Sequence, residues 1–131
     1  MSAPPFERLD FLYVPSTDVA ADLASFERLG ASVAFAIESD GTRVAALELA
    51  VDGPLVLFTD HLEGERPIMV YRVANLEQAL DDLPSGWTAL RRLEIPQGPC
   101  ASLRSETGHR VALYELTRPG VGEHFLGRRD F

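Results

Sequence analysis

The chain has 131 residues, 46% of them hydrophobic and 24% charged, with a formal net charge of -8. That length suits one compact domain with a real core, and the acidic balance argues against nucleic acid and anionic membrane as partners. No apolar run approaches the roughly 18 residues of a membrane span, and the opening Met1-Ser2-Ala3-Pro4-Pro5 lacks the basic-then-apolar layout of a secretory leader. A lone cysteine, Cys100, precludes an internal disulfide and suits a reducing compartment, so the expected location is cytoplasmic. All twelve basic residues are arginine. Schiff-base chemistry and lysine acid/base catalysis are thereby excluded, and any anion held by a cationic side chain is held by arginine. Arginine-biased codon usage accounts for the missing lysine without a functional cause.

Leu9 to Val14 is a short apolar run with aromatic and β-branched character, read as the first strand. Ser16-Thr17-Asp18 then supplies a capping cluster, Val19, Ala20, Leu23, Phe26 and Leu29 recur at helical spacing, and Gly30 stops the helix. Ser32 to Ile37, Arg43 to Leu49 and Leu55 to Thr59 read as three strands separated by Asp40-Gly41 and Asp52-Gly53 turns. The charged segment His61 to Arg66 reads as a linker.

The same order then repeats. Ile68 to Val73 opens as a strand. Asn75 caps a helix with Gln78 in capping-box position, and Leu76, Ala79, Leu80 and Leu83 form its buried face. Pro84-Ser85-Gly86 ends that helix. Trp87 to Ile95, Cys100 to Arg104 and Arg110 to Leu116 complete the strands. Asp18 matches Asn75, Gly53 matches Gly108 and Leu57 matches Leu113, each about 56 residues apart. The pattern is a duplicated βαβββ unit, an α+β arrangement with modules at residues 7–60 and 66–116 and a tail at 117–131. Phe125, Leu126 and Phe131 in that tail need an apolar surface, on the domain or across a dimer.

The stretch Gly98 to Tyr114 (GPCASLRSETGHRVALY) resembles the closing part of vicinal-oxygen-chelate proteins, the glyoxalase/bleomycin-resistance/dioxygenase superfamily. Ser105-Glu106-Thr107-Gly108-His109 stands in the family's Asp-Pro-x-Gly-Asn slot and keeps only the glycine. Leu9-Asp10-Phe11 is similar to the family's Leu-Asp-His opening. The resemblance implies one glyoxalase-like domain whose two modules form a curved mixed sheet around a cavity, and a homodimer. It is specific for fold and open as to activity. The family's four metal-ligand positions, carried over one by one, fall on Phe11, Val56, Ile68 and Ala112. None can donate to a metal, so no metal and no other cofactor is expected.

Alternate residues of a strand share a face. With the ligand positions facing the cavity, the expected lining is Phe11 and Tyr13, Val56 and Phe58, Ile68 and Arg72, Cys100, Ser102 and Arg104, and Arg110, Ala112 and Tyr114. The complementary set, Leu12, Val14, Leu55, Leu57, Val111 and Leu113, is uniformly apolar, as a helix-packing face requires. Tyr13, Tyr114, Arg72, Arg104 and Arg110 are the polar handles of this lining. In the competing reading the arginines point to water and the aromatics fill the concavity. Cys100 has no evident base beside it and reads as a small core residue rather than a nucleophile. His61, His109 and His124 lie in a linker, a turn and the tail, without metal spacing. Trp87 either stacks a ligand or covers the core.

The lining suits a small apolar or aromatic molecule, with an anionic group accommodated by arginine. The expectation is a metal-independent, non-catalytic binding protein of the bleomycin-resistance type. The alternatives are an enzyme of the same superfamily (a lyase, isomerase or dioxygenase with a shifted site) and a structural or regulatory subunit with a filled cavity.

Overall fold

The computed structural model describes residues 4–62 and 64–131. The reading of the first three residues as leader-free, and of Glu63 as linker, lies outside the described residues. The elements run β1 (Arg8–Pro15), α1 (Val19–Leu29), β2 (Ser32–Ser39), β3 (Thr42–Glu48), β4 (Leu55–Thr59), β5 (Ile68–Val73), α2 (Leu76–Asp81), β6 (Thr88–Ile95), β7 (Gly98–Arg104) and β8 (Arg110–Glu115). The βαβββ order thus occurs twice, and the α+β class is as expected. A single 3-10 turn at Val121–His124, inside the segment left irregular by its Pro and Gly, was not anticipated. No helix among the described residues is long and apolar enough to cross a membrane.

The chain divides into two compact units, one of Phe11–Pro67 with Glu123–Phe131, the other of the described residues up to Asp10 with Ile68–Gly122. In the first, the strand order is β2-β3-β4-β1, with β1 parallel to β4 and the other pairs antiparallel. The second repeats this as β6-β7-β8-β5, with β5 parallel to β8. Each unit is therefore a mixed four-stranded sheet. Both carry a β-bulge at the same place in the second strand, between Val33 and Phe35 in β2 and between Ala89 and Arg91 in β6.

Helix α1 begins where the Asp18 carboxylate accepts from the Ala21 amide at 3.0 Å. It ends in a Schellman motif, the Gly30 amide donating to Glu27 and the Ala31 amide to Phe26, with Gly30 at φ 114°. Asn75 caps α2 by accepting from the Gln78 amide at 3.0 Å. The expected reciprocal half of that capping box is not made. Gln78 instead reaches forward to Asp82 at 2.9 Å, while the Glu115 carboxylate accepts from the Leu76 amide at 2.8 Å. An anion thus sits at the electropositive start of the helix.

Each helix covers one face of its own sheet. Val19, Leu23 and Phe26 of α1 pack on Val14, Val33, Ala36, Ala45, Leu47, Val56 and Phe58. Around Leu76, Ala79 and Leu80 of α2 lie Val73, Ala101, Leu103, Val111 and Leu113, with Trp87 partly buried among them. Trp87 therefore covers this core. The tail satisfies its apolar residues on the first unit. Gly127 and Asp130 donate to the backbone of β2, Phe125 meets Phe35 at 5.8 Å, and Phe131 lies under Arg43 at 4.7 Å. Leu126 remains exposed.

Gly30 and Gly98 separate conformational cost from steric cost. A Cβ on Gly30 would meet nothing within 4 Å, so Gly30→Ala pays only for the left-handed backbone, about 1–2 kcal/mol. A Cβ on Gly98 would stand 2.0 Å from the Glu115 carbonyl oxygen, so β7 would have to part from the end of β8. Gly98→Ala is expected to cost about 3 kcal/mol. Urea denaturation of the two variants should rank them in that order, and equal midpoints would contradict it.

Candidate functional site

Of the two faces of each sheet, the one away from its helix holds the residues with chemistry to offer. In the second unit, burial of Met69, Tyr71, Val73, Ala101, Leu103, Val111 and Leu113 against α2 turns their neighbours to that face. Ile68 and Arg72 of β5, Cys100, Ser102 and Arg104 of β7, and Arg110, Ala112 and Tyr114 of β8 are all there, as expected. Val70 and Ala112 are Cα partners, as are Ala112 and Ser102, which places small and apolar side chains in the middle of the face.

At one end of this face the Tyr114 ring is almost fully buried, and its hydroxyl donates to the Asp10 carboxylate. Asp10 also pairs with Arg8 Nε at 3.1 Å and with Arg72 Nε at 3.6 Å. Glu7 approaches the same Arg72 Nε at 3.6 Å. At that separation both contacts to Arg72 are electrostatic rather than hydrogen-bonded, and its buried Nε keeps no hydrogen-bond partner. Arg72 is thus a matched cation rather than a free handle. The sequence does not reveal Asp10 and Glu7 as partners, because Asp10 falls in the phase of apolar Leu12 and Val14 and Glu7 precedes β1. Burial, then the hydrogen bond to Asp10 and its charge, raises the Tyr114 phenol well above its usual range, against the pull of Arg72 and Arg8. Tyr114 is a neutral donor, not a phenolate base.

The Cys100 thiol is pushed up to about 11 by burial, opposed by a backbone hydrogen bond at Ala101. It stays protonated near neutrality and is no nucleophile. At the other end of the face, Arg110 Nη2 donates to Ser102 Oγ at 2.9 Å, while its Nε is buried without a hydrogen-bond partner. Arg104 is the Cα partner of Arg110 and is exposed.

In the first unit, Val14 packs toward α1, so Phe11 and Tyr13 take the opposite face, their rings edge to face at 6.5 Å. Val56 and Phe58 do not join them. Phe58 is buried against α1 with its ring 5.0 Å from Phe26, and Val56 packs on the same cluster. The β1–β4 register pairs Phe11 with Leu55 and Tyr13 with Leu57, so the two leucines share the aromatic face. The expected lining from β4 is corrected from Val56 and Phe58 to Leu55 and Leu57. LVLF is apolar at every position, so alternation cannot show its phase. Carrying a family ligand position over to Val56 put the wrong pair on that face, since Val56 and Phe58 pack toward α1.

The positions that the resemblance matches to metal ligands carry Phe11, Val56, Ile68 and Ala112. Their side chains have no donor atom and do not fit a divalent ion. Among the described residues, no group of three His, Cys, Asp or Glu side chains is placed to hold a metal. His61 and His109 are exposed, His61 in contact with Thr59 Oγ and His109 in the turn held by Ser105.

No family model matches the chain, and no curated protein matches it. Solved structures do. A methylmalonyl-CoA epimerase from Mycobacterium tuberculosis is similar over 90% of this chain and 93% of its own, with 14% identity and a TM-score of 0.69. A hypothetical protein from Bacillus halodurans matches over 86% and 96%, with 15% identity and a TM-score of 0.68. A glyoxalase/bleomycin resistance protein/dioxygenase superfamily member from Vibrio splendidus matches over 82% and 97%, with 13% identity and a TM-score of 0.55. At these identities the likeness is one of fold. The chain has the fold of the glyoxalase/bleomycin resistance/dioxygenase superfamily.

The buried phenol gives a pH signature. An unfolded tyrosine titrates near ~10, and the folded chain holds the Tyr114 proton more tightly. Its stabilising contribution is therefore complete below that pH and is lost as pH rises toward the folded value. Tyr114→Phe should cost about 1–3 kcal/mol at neutral pH, the worth of a hydrogen bond to a charged group. It should also flatten the fall of stability above pH ~10. Denaturant midpoints measured across that range would show both, and an equally steep decline in the variant would contradict the assignment.

Proposed function

We propose that this chain is a metal-independent small-molecule-binding protein of the glyoxalase/bleomycin-resistance type, folded as one domain from modules 7–60 and 66–116. The observation that carries this reading is the apolar chemistry at the ligand positions. Phe11, Ile68 and Ala112 stand on the sheet faces away from the helices with Leu55 and Leu57 of β4, Leu57 and Ala112 being buried there, while Val56 packs toward α1. A face of this kind gains free energy by covering an apolar or aromatic molecule, and it offers no first shell for a Lewis acid. Phe11, Tyr13, Leu55 and Leu57 supply the aromatic and aliphatic surface in the first unit. Around Ala112 in the second unit, Ser102, Arg110 and Tyr114 supply orientation. The chain is a binder rather than a catalyst in this reading, because the phenol is neutral, the thiol is neutral and Arg72 is matched by Asp10 and Glu7. A homodimer in the cytoplasm completes the proposal.

One observation favours a rival. The Glu7, Asp10, Arg72 and Tyr114 network satisfies much of its own polarity, as a face filled by the chain's own side chains would. Two measurements separate the readings. Metal analysis of protein purified without chelator should find far less than one divalent ion per chain, and chelator treatment should leave the melting temperature unchanged. One bound ion per chain would overturn metal independence. A thermal-shift screen of small neutral aromatics should then find compounds that stabilise the chain, by about 2.7 kcal/mol at a hundredfold excess over the dissociation constant. Replacing Tyr13 with Ala should weaken such a ligand, and a screen with no stabilising compound would favour the filled face.

A further inference from the structure

On the face of the second unit that carries Ala112, three arginines occupy neighbouring register positions around Ser102, and Arg110 donates to its hydroxyl. Arg110 and Arg104 are direct Cα partners across β8 and β7, and Arg91 of β6 is the direct partner of Ser102. Ser102 and Arg104 are two apart on β7, so all four side chains leave the same face. Directly opposed side chains in an antiparallel pair start about 4.5–5.5 Å apart at Cβ. Arg91 reaches this face only because of the β6 bulge. Ala89 pairs with Leu103 on the helix side, and without the register shift Arg91 would follow it there.

Two like charges placed opposite each other destabilise a sheet, so an unoccupied Arg104–Arg110 pair works against the fold. Among the described residues, every ion pair uses another arginine. The chain as a whole has a formal charge of -8, yet among the described residues no carboxylate forms an ion pair with these three. Arg110 holds Ser102 at 2.9 Å through Nη2 and leaves its buried Nε without a hydrogen-bond partner. A donor that is buried and unpaired costs free energy until something accepts from it.

We propose that Arg91, Ser102, Arg104 and Arg110 bind the phosphate of a small phosphorylated ligand. This deepens the binding reading above and rests on it. A carboxylate has one charge and two oxygens, which one guanidinium fork already satisfies. A phosphate monoester brings nearly two charges and three terminal oxygens, matching three guanidinium groups and a hydroxyl. Ile68 and Ala112, on the same face beside Arg110, would meet the apolar remainder of the molecule.

The test uses the whole chain at fixed ionic strength, with inorganic phosphate, phenyl phosphate and acetate as probes against chloride. Phosphate should raise the melting temperature, phenyl phosphate should raise it further at equal concentration, and acetate should not. The Arg104→Gln/Arg110→Gln double variant should bind phosphate at least tenfold more weakly. Arg91→Gln should weaken it less, and Arg118→Gln, whose partner is Glu94, should not change it. Arg104→Gln alone should melt no lower than the parent in the chloride reference buffer without phosphate, because it relieves a like-charge pair, whereas a purely structural arginine would lower it. No phosphate effect in the parent, or an undiminished one in the double variant, would overturn the proposal, as would acetate matching phosphate. If phosphate leaves the parent unchanged while a neutral aromatic stabilises it, this assignment fails and the binding reading stands; if neither stabilises it, both fail.

Discussion

Each four-stranded sheet has a single helix to cover it, and strand geometry sends successive side chains to opposite sides. The residues buried beneath α1 and α2 therefore dictate, strand by strand, which residues are left for the other face. In β8 this is plain. Val111 and Leu113 close onto α2, and Arg110, Ala112 and Tyr114 are delivered together to the face away from it. The Glu115 carboxylate extends the helix-facing series by accepting from the first amide of α2. The position of every candidate functional residue follows from that alternation and from the two bulges that interrupt it.

The polar groups on the uncovered face of the second unit fall into two sets with different electrostatics. At one end, Tyr114 and Arg72 converge on Asp10, with Glu7 adding a second acid, and the charges answer one another. At the other, Arg104 and Arg110 oppose each other without an acid. The first set stabilises the fold and holds a neutral phenol. The second costs stability and so has the character of a site kept for a ligand rather than for the chain. Between them stand Val70 and Ala112, both nearly buried and apolar.

Much of this was legible in the sequence. Asp18, Gly30 and Asn75 announce the helix ends because capping chemistry is local, and each does in the structure what its residue type does best. The parity of β7 and β8 was legible because Ser102 and Arg104, and Arg110, stand opposite in phase to Leu103 and Val111; in β5 the sequence Ile68-Met69-Val70 shows no alternation and the resemblance at Ile68 supplied the phase. In β4 parity was not legible, since Leu55, Val56, Leu57 and Phe58 are all apolar and only the partner strands decide which pair meets α1. Arg91 was hidden by a bulge, which shifts parity without leaving a mark in the residue types around Leu90. Asp10 was visible as a residue but not as a partner of Tyr114, because that contact spans 104 positions and depends on tertiary packing. Gln78 shows the reverse error, a local motif half abandoned because its side chain donates forward to Asp82 instead of turning back to the Asn75 amide.

The central claim is that the sheet faces away from the helices bind a small molecule without a metal. Its most direct test is the amide spectrum of isotope-labelled, chelator-treated protein titrated with a neutral aromatic ligand. The account predicts saturable shifts at Phe11, Tyr13, Leu57 and Ala112 with chelator still present, and no further change when a divalent ion is added. Shifts that arise only after a divalent ion is supplied, or that map to the helix-covered residues instead, would contradict it.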